Sequence, residues 1–371
     1  MRVLLLSAYH TESHRVWCEA LISGIPEYQW TLLSLPPRYF SWRIRGNAMS
    51  WFMEQPELNT RYDLIVATSM VDLACLKGLV PSLAASPSIV YFHENQFAYP
   101  PSDNQQEQVS AQITSIYSGL AAEHLLFNSD YNRQSFLAGA KRLLKKMPDH
   151  LPAEQVLQRL AKKSEILAVP IPRLDRSLFS PQAMSKNKPV LVWNHRWEYD
   201  KAPDRLLMFA RALLKTKIDF TLHIVGQQFR QQPPAMAELR DILGNHLGQF
   251  GFIESKAEYH RLLASADIVL STALHYFQGL SMLEAVELGC VPLLPDRVVY
   301  PEQYPEALLY KSDLQSPENE AENAVQLLLG FLNTPEAISL PDDLISRFYP
   351  ENLIPKYRAC FESVRMARQI L

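Results

Sequence analysis

Short apolar runs alternate with stretches of helical periodicity along the whole chain. In the first half the runs predict strands at Val3–Ser7, Trp30–Leu35, Leu64–Ala67, Ser88–Phe92, His124–Phe127 and Glu165–Ala168. In the second half they predict strands near Val190–Trp193, Thr221–Val225, Gly248–Phe250, Ile268–Leu270, Val291–Leu294 and Leu308–Tyr310. Such alternation implies parallel sheets joined by right-handed crossovers, so the fold class is α/β and each half reads as a Rossmann-like domain. The stretch from Val169-Pro170-Ile171-Pro172 through Pro181 to Pro189 is rich in proline and lacks helical spacing. It marks the boundary between an N-terminal domain, 1–170, and a C-terminal domain, 171–354. Residues 355–371 form a further helix by pattern, with Tyr357, Cys360, Phe361, Val364 and Ala367 on its spacing.

Ligands of open α/β sheets bind beyond the carboxyl ends of strands. Polar residues cluster there. The segment Tyr276-Phe277-Gln278-Gly279-Leu280-Ser281-Met282-Leu283-Glu284 follows an apolar strand and opens a helix that stops at Gly289. A glycine directly before a helix lets an anion approach the unpaired N–H groups of the first turn. Glu284, one turn inside, is placed to accept hydrogen bonds from sugar or ribose hydroxyls. Asn194-His195-Arg196-Trp197-Glu198-Tyr199-Asp200-Lys201 follows the first strand of the same domain. Its Arg196 and Lys201 suit a diphosphate, the guanidinium as a fork and the ammonium as a point charge.

The first domain carries its own clusters. His10-Thr11-Glu12-Ser13-His14 follows the first strand; it lacks a Gly-x-Gly-x-x-Gly and suits a sugar or acceptor. Thr11 or Ser13 as a plain helix cap is the competing reading. His93-Glu94-Asn95-Gln96 follows the fourth strand. His93 can donate to a sugar or stabilise developing charge, and Glu94 can face an oxocarbenium-like centre or orient His93. Asn128-Ser129-Asp130 ends a strand and starts a helix, where a cap is as good a reading as a ligand contact.

Composition narrows the class. With 47% hydrophobic and 20% charged residues and a net charge of -3, the chain reads as a soluble, cytoplasmic globular protein. No apolar run approaches the roughly 20 residues of a membrane span, so no stable membrane insertion is expected. The four cysteines Cys18, Cys75, Cys290 and Cys360 are scattered, which argues against structural zinc or a disulfide framework. No Asp-x-Asp pair exists, so a metal-bridged diphosphate has no evident ligands and a metal-independent site is expected.

Together these features resemble retaining glycosyltransferases of the GT-B architecture, two Rossmann-like domains facing across a cleft. The resemblance implies a nucleotide-sugar donor in the second domain and no other cofactor. Arg196 and Lys201 match the family's phosphate-binding pair, and Gly279-Leu280-Ser281 its glycine turn. Glu284 matches the second glutamate of Glu-x7-Glu, which grips the ribose. Gly251-Phe252-Ile253 matches the loop that meets the base, so Phe252 and Ile253 join the donor set. Tyr276 stands where the first glutamate contacts the donor sugar; it keeps a hydroxyl and lacks the charge. The C-terminal helix would cross back to the first domain.

The opening Ser7-Ala8-Tyr9-His10-Thr11-Glu12-Ser13-His14-Arg15 and the later Phe92-His93-Glu94-Asn95-Gln96-Phe97-Ala98-Tyr99-Pro100 look like the tRNA-queuosine mannosyltransferase family. That likeness implies transfer of mannose from GDP-mannose to queuosine in a tRNA anticodon, with retention. His93 and Glu94 would then face the reacting sugar, with His10, Thr11, Glu12, Ser13, His14, Asn95, Gln96 and Asn128 around the acceptor.

Local charge supports an RNA partner. From Tyr131 to Lys163 the chain has eight basic residues, among them Arg133, Lys141, Arg142, Lys145 and Lys146, against two acidic ones. A second stretch interleaves Arg38, Arg43 and Arg45 with Tyr39, Phe40, Trp42, Trp51 and Phe52. Arginine contacts phosphate and exposed aromatics stack on unpaired bases. Solvated helix faces and a core stripe at Phe40, Trp51 and Phe52 are the bland alternatives. Two other functions stay open: a transferase acting on a lipid or polysaccharide at a membrane surface, and a degenerate transferase kept as an RNA-binding module. Oligomeric state is not legible.

Overall fold

The computed structural model describes residues 1–99, 105–147, 152–174 and 188–367. It divides into two compact units, Met1–Pro170 with Phe348–Leu371, and Ile171–Arg347. The return to the first unit thus begins at Phe348 rather than at 355. Its helix runs Pro350–Ala367 and carries Pro355 inside rather than at its start. Pro355 lies beyond the first turn, so the N–H it lacks leaves the Glu351 carbonyl without its i→i−4 donor. The Pro181 end of the expected linker lies outside the described residues.

The first unit holds strands β1 (Arg2–Ser7), β2 (Gln29–Ser34), β3 (Leu64–Thr68), β4 (Ser88–Phe92), β5 (His124–Phe127) and β6 (Ser164–Ile166). They form one parallel sheet in the order β2-β1-β3-β4-β5-β6. β3 and β4 are buried along their whole length, which is why they read as continuous apolar runs rather than alternating ones. The helix Pro350–Ala367 packs on this unit: the buried Tyr357 hydroxyl accepts from Trp17 Nε1 at 3.0 Å and donates to the Ala168 carbonyl at 2.9 Å.

The second unit holds β7 (Val190–Asn194), β8 (Thr221–Val225), β9 (Leu247–Gly251), β10 (Ile268–Leu270), β11 (Val291–Pro295) and β12 (Leu309–Tyr310). Its order is β12-β11-β10-β7-β8-β9, all parallel. Counted within the unit this is the dinucleotide-fold order, with the chain reversing direction across the sheet between β7 and β10. The crevice beyond the carboxyl ends of those two strands is where such sheets bind ligands. In the first unit the corresponding point lies between β1 and β3.

Candidate active site

In the second unit the loop leaving β7 and the loop leaving β10 are laced together. Thr272 Oγ1 accepts from Trp193 Nε1 at 3.0 Å and donates to the Lys201 carbonyl at 2.8 Å. The Leu274 N–H reaches the Asp200 carbonyl at 2.9 Å. This brings Arg196 and Lys201 to the same crevice as Tyr276 and Gly279.

Lys201 is buried. Its ammonium lies 2.8 Å from Asp200 Oδ2, donates to the His275 carbonyl at 2.7 Å, and sits 4.2 Å from the centre of the Tyr276 ring. Burial lowers the ammonium's pKa, and Asp200 offsets part of that. Burial also pushes Asp200 upward, but His275 and the Lys201 charge outweigh it and hold the carboxyl well below the usual range. The ion pair is therefore maintained. Arg196 is half exposed, with Glu198 at 2.9 Å.

Gly279 takes a left-handed backbone, φ 75°, as the residue before the helix Leu280–Glu287. A Cβ there would press on the Tyr276 ring at 3.1 Å, so glycine serves both the turn and the tyrosine. The helix closes at Gly289, φ 109°, as its sequence implies. Tyr276 lays its hydroxyl 2.6 Å from Ser281 Oγ, and burial pushes its pKa up to about 12, so it stays a neutral hydrogen-bonding group. Glu284 is partly exposed and meets His260 Nε2 at 2.8 Å. Asn194 donates to Tyr259 Oη at 3.0 Å and to the Ser281 carbonyl at 3.0 Å, tying β7 to the turn. Phe252 stands exposed after β9 and Ile253 is partly buried beside it.

Sequence reasoning left Asn194, His195, Asp200, Tyr259 and His260 out of this set. His195 is fully buried with Nε2 3.1 Å from Ser271 Oγ, and its Nδ1 has no partner among the described residues. Only the polar run after β7 hinted at it.

In the first unit His14 and His93 stack face to face, ring centres 4.1 Å apart, against the edge of Trp17. Glu94 reaches His14 Nε2 at 3.3 Å. The expected Glu94–His93 pairing is therefore relayed through the His14 ring. His10 Nδ1 lies 2.9 Å from Ser7 Oγ. His93 Nε2, His14 Nδ1, Thr68 Oγ1 and Ser69 Oγ are all buried with no partner among the described residues. Thr68 and Ser69 end β3, at the switch point, and sequence reading passed over them because two hydroxyls after a strand carry no signal by themselves.

Several expected acceptor residues serve the fold. The Asn95 amide donates to the Asn132 side chain at 2.8 Å and to Ser135 Oγ at 2.9 Å, while its oxygen accepts from the Phe97 N–H. Asn128 donates to the His93 carbonyl at 2.8 Å and so fixes the histidine's loop. Gln96 is buried, and its carbonyl accepts from Gln112. Ser129 caps the helix Asp130–Leu144. Thr11 precedes the helix Glu12–Gly24 without a side-chain capping bond and pairs with Ser13 at 3.1 Å. Glu12 points outward and pairs with Arg15. Pro100 lies outside the described residues.

Of the basic residues, Arg133 pairs with Asp130 at 2.8 Å and Lys141 with Glu154 at 3.0 Å. Lys163 spends its ammonium on the carbonyls of Leu120 and Ala122. Arg142, Lys145 and Lys146 are exposed, as is Arg38, while Arg43 is partly buried. Arg45 is held by Asp72 and Thr114, each at 3.0 Å.

Burial holds His93 and His195 well below the ordinary imidazole pKa, with neighbouring positive groups adding to it, and lowers His10 likewise. The unfolded chain takes up protons below about pH 6.5, where these folded imidazoles do not. Stability is thus full above that pH and falls as pH drops below it, by up to about 1.4 kcal/mol per pH unit for each of the buried His93 and His195. The urea midpoint is expected to fall between pH 7.5 and 5.5; an equal or higher midpoint at pH 5.5 would contradict the neutral assignment.

Two nucleotide-fold sheets, the second bearing a basic pair and a glycine turn at its switch point, define a glycosyltransferase of the GT-B class. Residues 176–339 match the family described as glycosyl transferases group 1. The N-terminal domain of the Candida albicans trehalose-6-phosphate phosphatase covers 98% of this chain and 97% of its own at TM-score 0.69 and 12% identity. Anabaena HepE, solved with UDP and glucose, covers 98% and 100% at TM-score 0.62 and 14% identity. Residues 2–171 match the tRNA-queuosine alpha-mannosyltransferase N-terminal family. The tRNA-queuosine alpha-mannosyltransferase of Drosophila melanogaster is 32% identical over 372 residues, 97% of this chain and 96% of its own. The chain belongs to the tRNA-queuosine alpha-mannosyltransferase family. Among the described residues no helix is long and apolar enough to cross a membrane.

Proposed function

We propose that this enzyme transfers mannose from GDP-mannose to queuosine in a tRNA anticodon, with retention and without a metal. The observation that carries the reading is the likeness to the Drosophila enzyme along almost the full length of both chains. The donor cluster supplies the chemistry. Arg196, Lys201 and the first-turn N–H groups after Gly279 would stabilise the charge growing on the leaving diphosphate. Lys201 has three N–H donors, of which Asp200 and the His275 carbonyl take two, leaving one for phosphate. Glu284, steadied by His260, would hold the ribose and Phe252 would lie against the base. Tyr276 offers the donor sugar a neutral hydroxyl in place of a carboxylate. His93, neutral and with no partner for Nε2 among the described residues, would serve the acceptor diol, oriented by Asn128 and the His14–Glu94 relay.

The deciding experiment is transfer of radiolabel from GDP-mannose to tRNA pools with and without queuosine, with and without EDTA. Label confined to the queuosine pool and indifferent to EDTA is expected. Label in neither pool sinks the reading and makes Tyr276 the first suspect for a different donor.

Thr68→Val provides a sharper probe of the first unit. Its hydroxyl is buried with no partner among the described residues, so removing it is expected to leave stability within about 1 kcal/mol or raise it. Transfer to tRNA is expected to fall because a polar contact at the switch point is gone. Unchanged kcat/KM for tRNA would remove Thr68 from the site.

A further inference from the structure

We propose that the helix Phe40–Glu54, with the turn before it, is the platform on which unpaired nucleotides of an RNA loop stack. The inference rests on the tRNA reading above and goes beyond it by assigning the contact surface. Five large side chains stand exposed on this one short segment: Tyr39 at 72%, Trp42 at 49%, Met49 at 52%, Phe52 at 47% and Met53 at 73%. At about 100° per residue, Trp42, Met49 and Met53 fall within roughly 40° of arc, with Arg45 and Phe52 alongside. A contiguous apolar strip of this kind on a soluble domain marks an interaction site.

The strip is built rather than loose. The opposite face of the helix is buried through Ile44, Ala48 and Trp51. Asn47 locks it to the neighbouring loop, donating to the Met70 carbonyl at 3.1 Å and accepting from the Asp72 N–H at 3.1 Å. The Trp42 indole lies flat on its own helix, because a Cβ on Gly46 would sit 2.5 Å from its Cε2. Tyr39 holds a left-handed backbone, φ 56°, a strained conformation for a bulky residue, with the Arg38 guanidinium 5.7 Å over its ring.

Charge selects the partner. Between Pro36 and Met53 the chain carries Arg38, Arg43 and Arg45 and no carboxylate. Arg45 is anchored to Asp72 and Thr114, which fixes its charge beside the aromatics. Helices that enter lipid keep basic groups on the polar side of a broad apolar face. Flat rings interleaved with guanidinium forks are instead what stacked bases and phosphates require. The helices Asp130–Leu144 and Ala153–Lys162 fit less well. None of the exposed large apolar side chains lies on them.

The test measures binding of the full chain to an anticodon stem-loop RNA and to a blunt duplex of equal length, by fluorescence anisotropy. Trp42→Ala and Phe52→Ala are each expected to weaken loop binding about tenfold, the size of one lost base stack, and to leave duplex binding within about twofold. Arg38→Gln is expected to weaken both RNAs and to flatten the salt dependence. Unchanged GDP binding by each variant establishes that the fold is intact. Equal loop affinity in Trp42→Ala and Phe52→Ala overturns the proposal. So does loss, in these variants, of binding to vesicles containing phosphatidylserine with RNA affinity unchanged, which would assign the strip to lipid. Label transfer to queuosine tRNA with an unaltered KM in both variants sinks the platform while the function stands; no transfer by the wild type sinks the function first.

Discussion

Lys201→Met is expected to destabilise the second unit by about 3–5 kcal/mol and to reduce sugar transfer by more than about tenfold. The first figure is the cost of leaving a buried charge without its partner, and the second that of losing one charged transition-state contact. Asp200 and Lys201 are both almost wholly enclosed, their charged atoms 2.8 Å apart. Removing the ammonium leaves Asp200 to His275 alone, with Oδ2 3.7 Å from the ring nitrogen. Adding Asp200→Asn to Lys201→Met takes the orphaned charge away, so the double variant is expected to regain most of the stability and none of the activity. Arg196→Ala is the contrasting case. Its side chain is half exposed and pairs with Glu198 at 2.9 Å, so stability should change by under about 1 kcal/mol while transfer falls more than about tenfold. Urea denaturation and single-turnover label transfer on the same preparations read both quantities. Near-normal transfer in Lys201→Met and Arg196→Ala would remove the diphosphate from this crevice.

Gly226→Ala is expected to cost more than about 4 kcal/mol, enough to prevent the second unit from folding stably at 37 °C. Gly226 follows β8 with φ 145°, and a Cβ on it would fall on the His195 carbonyl oxygen. Neither side can yield. Asn194 is paired in register with Val225, and the Trp197 N–H holds the Gln227 carbonyl at 2.9 Å on the far side of the contact. The loop that presents Arg196 is thus seated directly on this glycine, and donor binding should vanish with the fold. Gly244→Ala supplies the control: nothing lies within 4 Å of the added carbon, so only the backbone conformation, φ 49° and ψ -118°, resists it, for a cost of about 1–3 kcal/mol. A Gly226→Ala protein that expresses normally and binds GDP would refute the close approach.

The cluster proposed for the donor was legible because its members are local. Gly279, Ser281 and Glu284 lie within two turns of one helix, and Arg196 and Lys201 within one loop, so glycine geometry and charge spacing could be read directly from neighbouring letters. Even there the electrostatics were not. Nothing in the run Tyr199-Asp200-Lys201 says that Asp200 is enclosed with the ammonium, or that His260 reaches Glu284 from another helix. The first-unit cluster was half legible. Polar residues after β1 and β4 identified His10, His14, His93 and Glu94. The stacking of His14 on His93 joins positions far apart in sequence, and it reassigns Glu94 to His14. Asn95 and Asn128 are polar letters at a strand end whose side chains the fold uses for its own hydrogen bonds, which the sequence does not reveal.

By itself, then, the sequence determined the elements and the local chemistry. Among the described residues all twelve strands lie within two residues of the runs that announce them. The central ones, such as β3, β4 and β10, are buried on both faces and so apolar throughout, while the edge strands β2 and β6 are partly exposed. Even β6 moved only from Glu165–Ala168 to Ser164–Ile166, where Ala168, Val169 and Pro170 lead out of the sheet. Only the tertiary structure decided the strand order, and with it which loops share a switch point. It also decided which titratable groups lose their water: burial keeps His93 and His195 neutral, while Lys201 and Asp200 stay charged against burial because they face each other, with His275 beside the carboxylate. And it left Trp42, Phe52 and Met53 exposed while burying Trp51 beside them. Strand pairing and desolvation are sums over neighbours in space, and letters adjacent in sequence do not contain them.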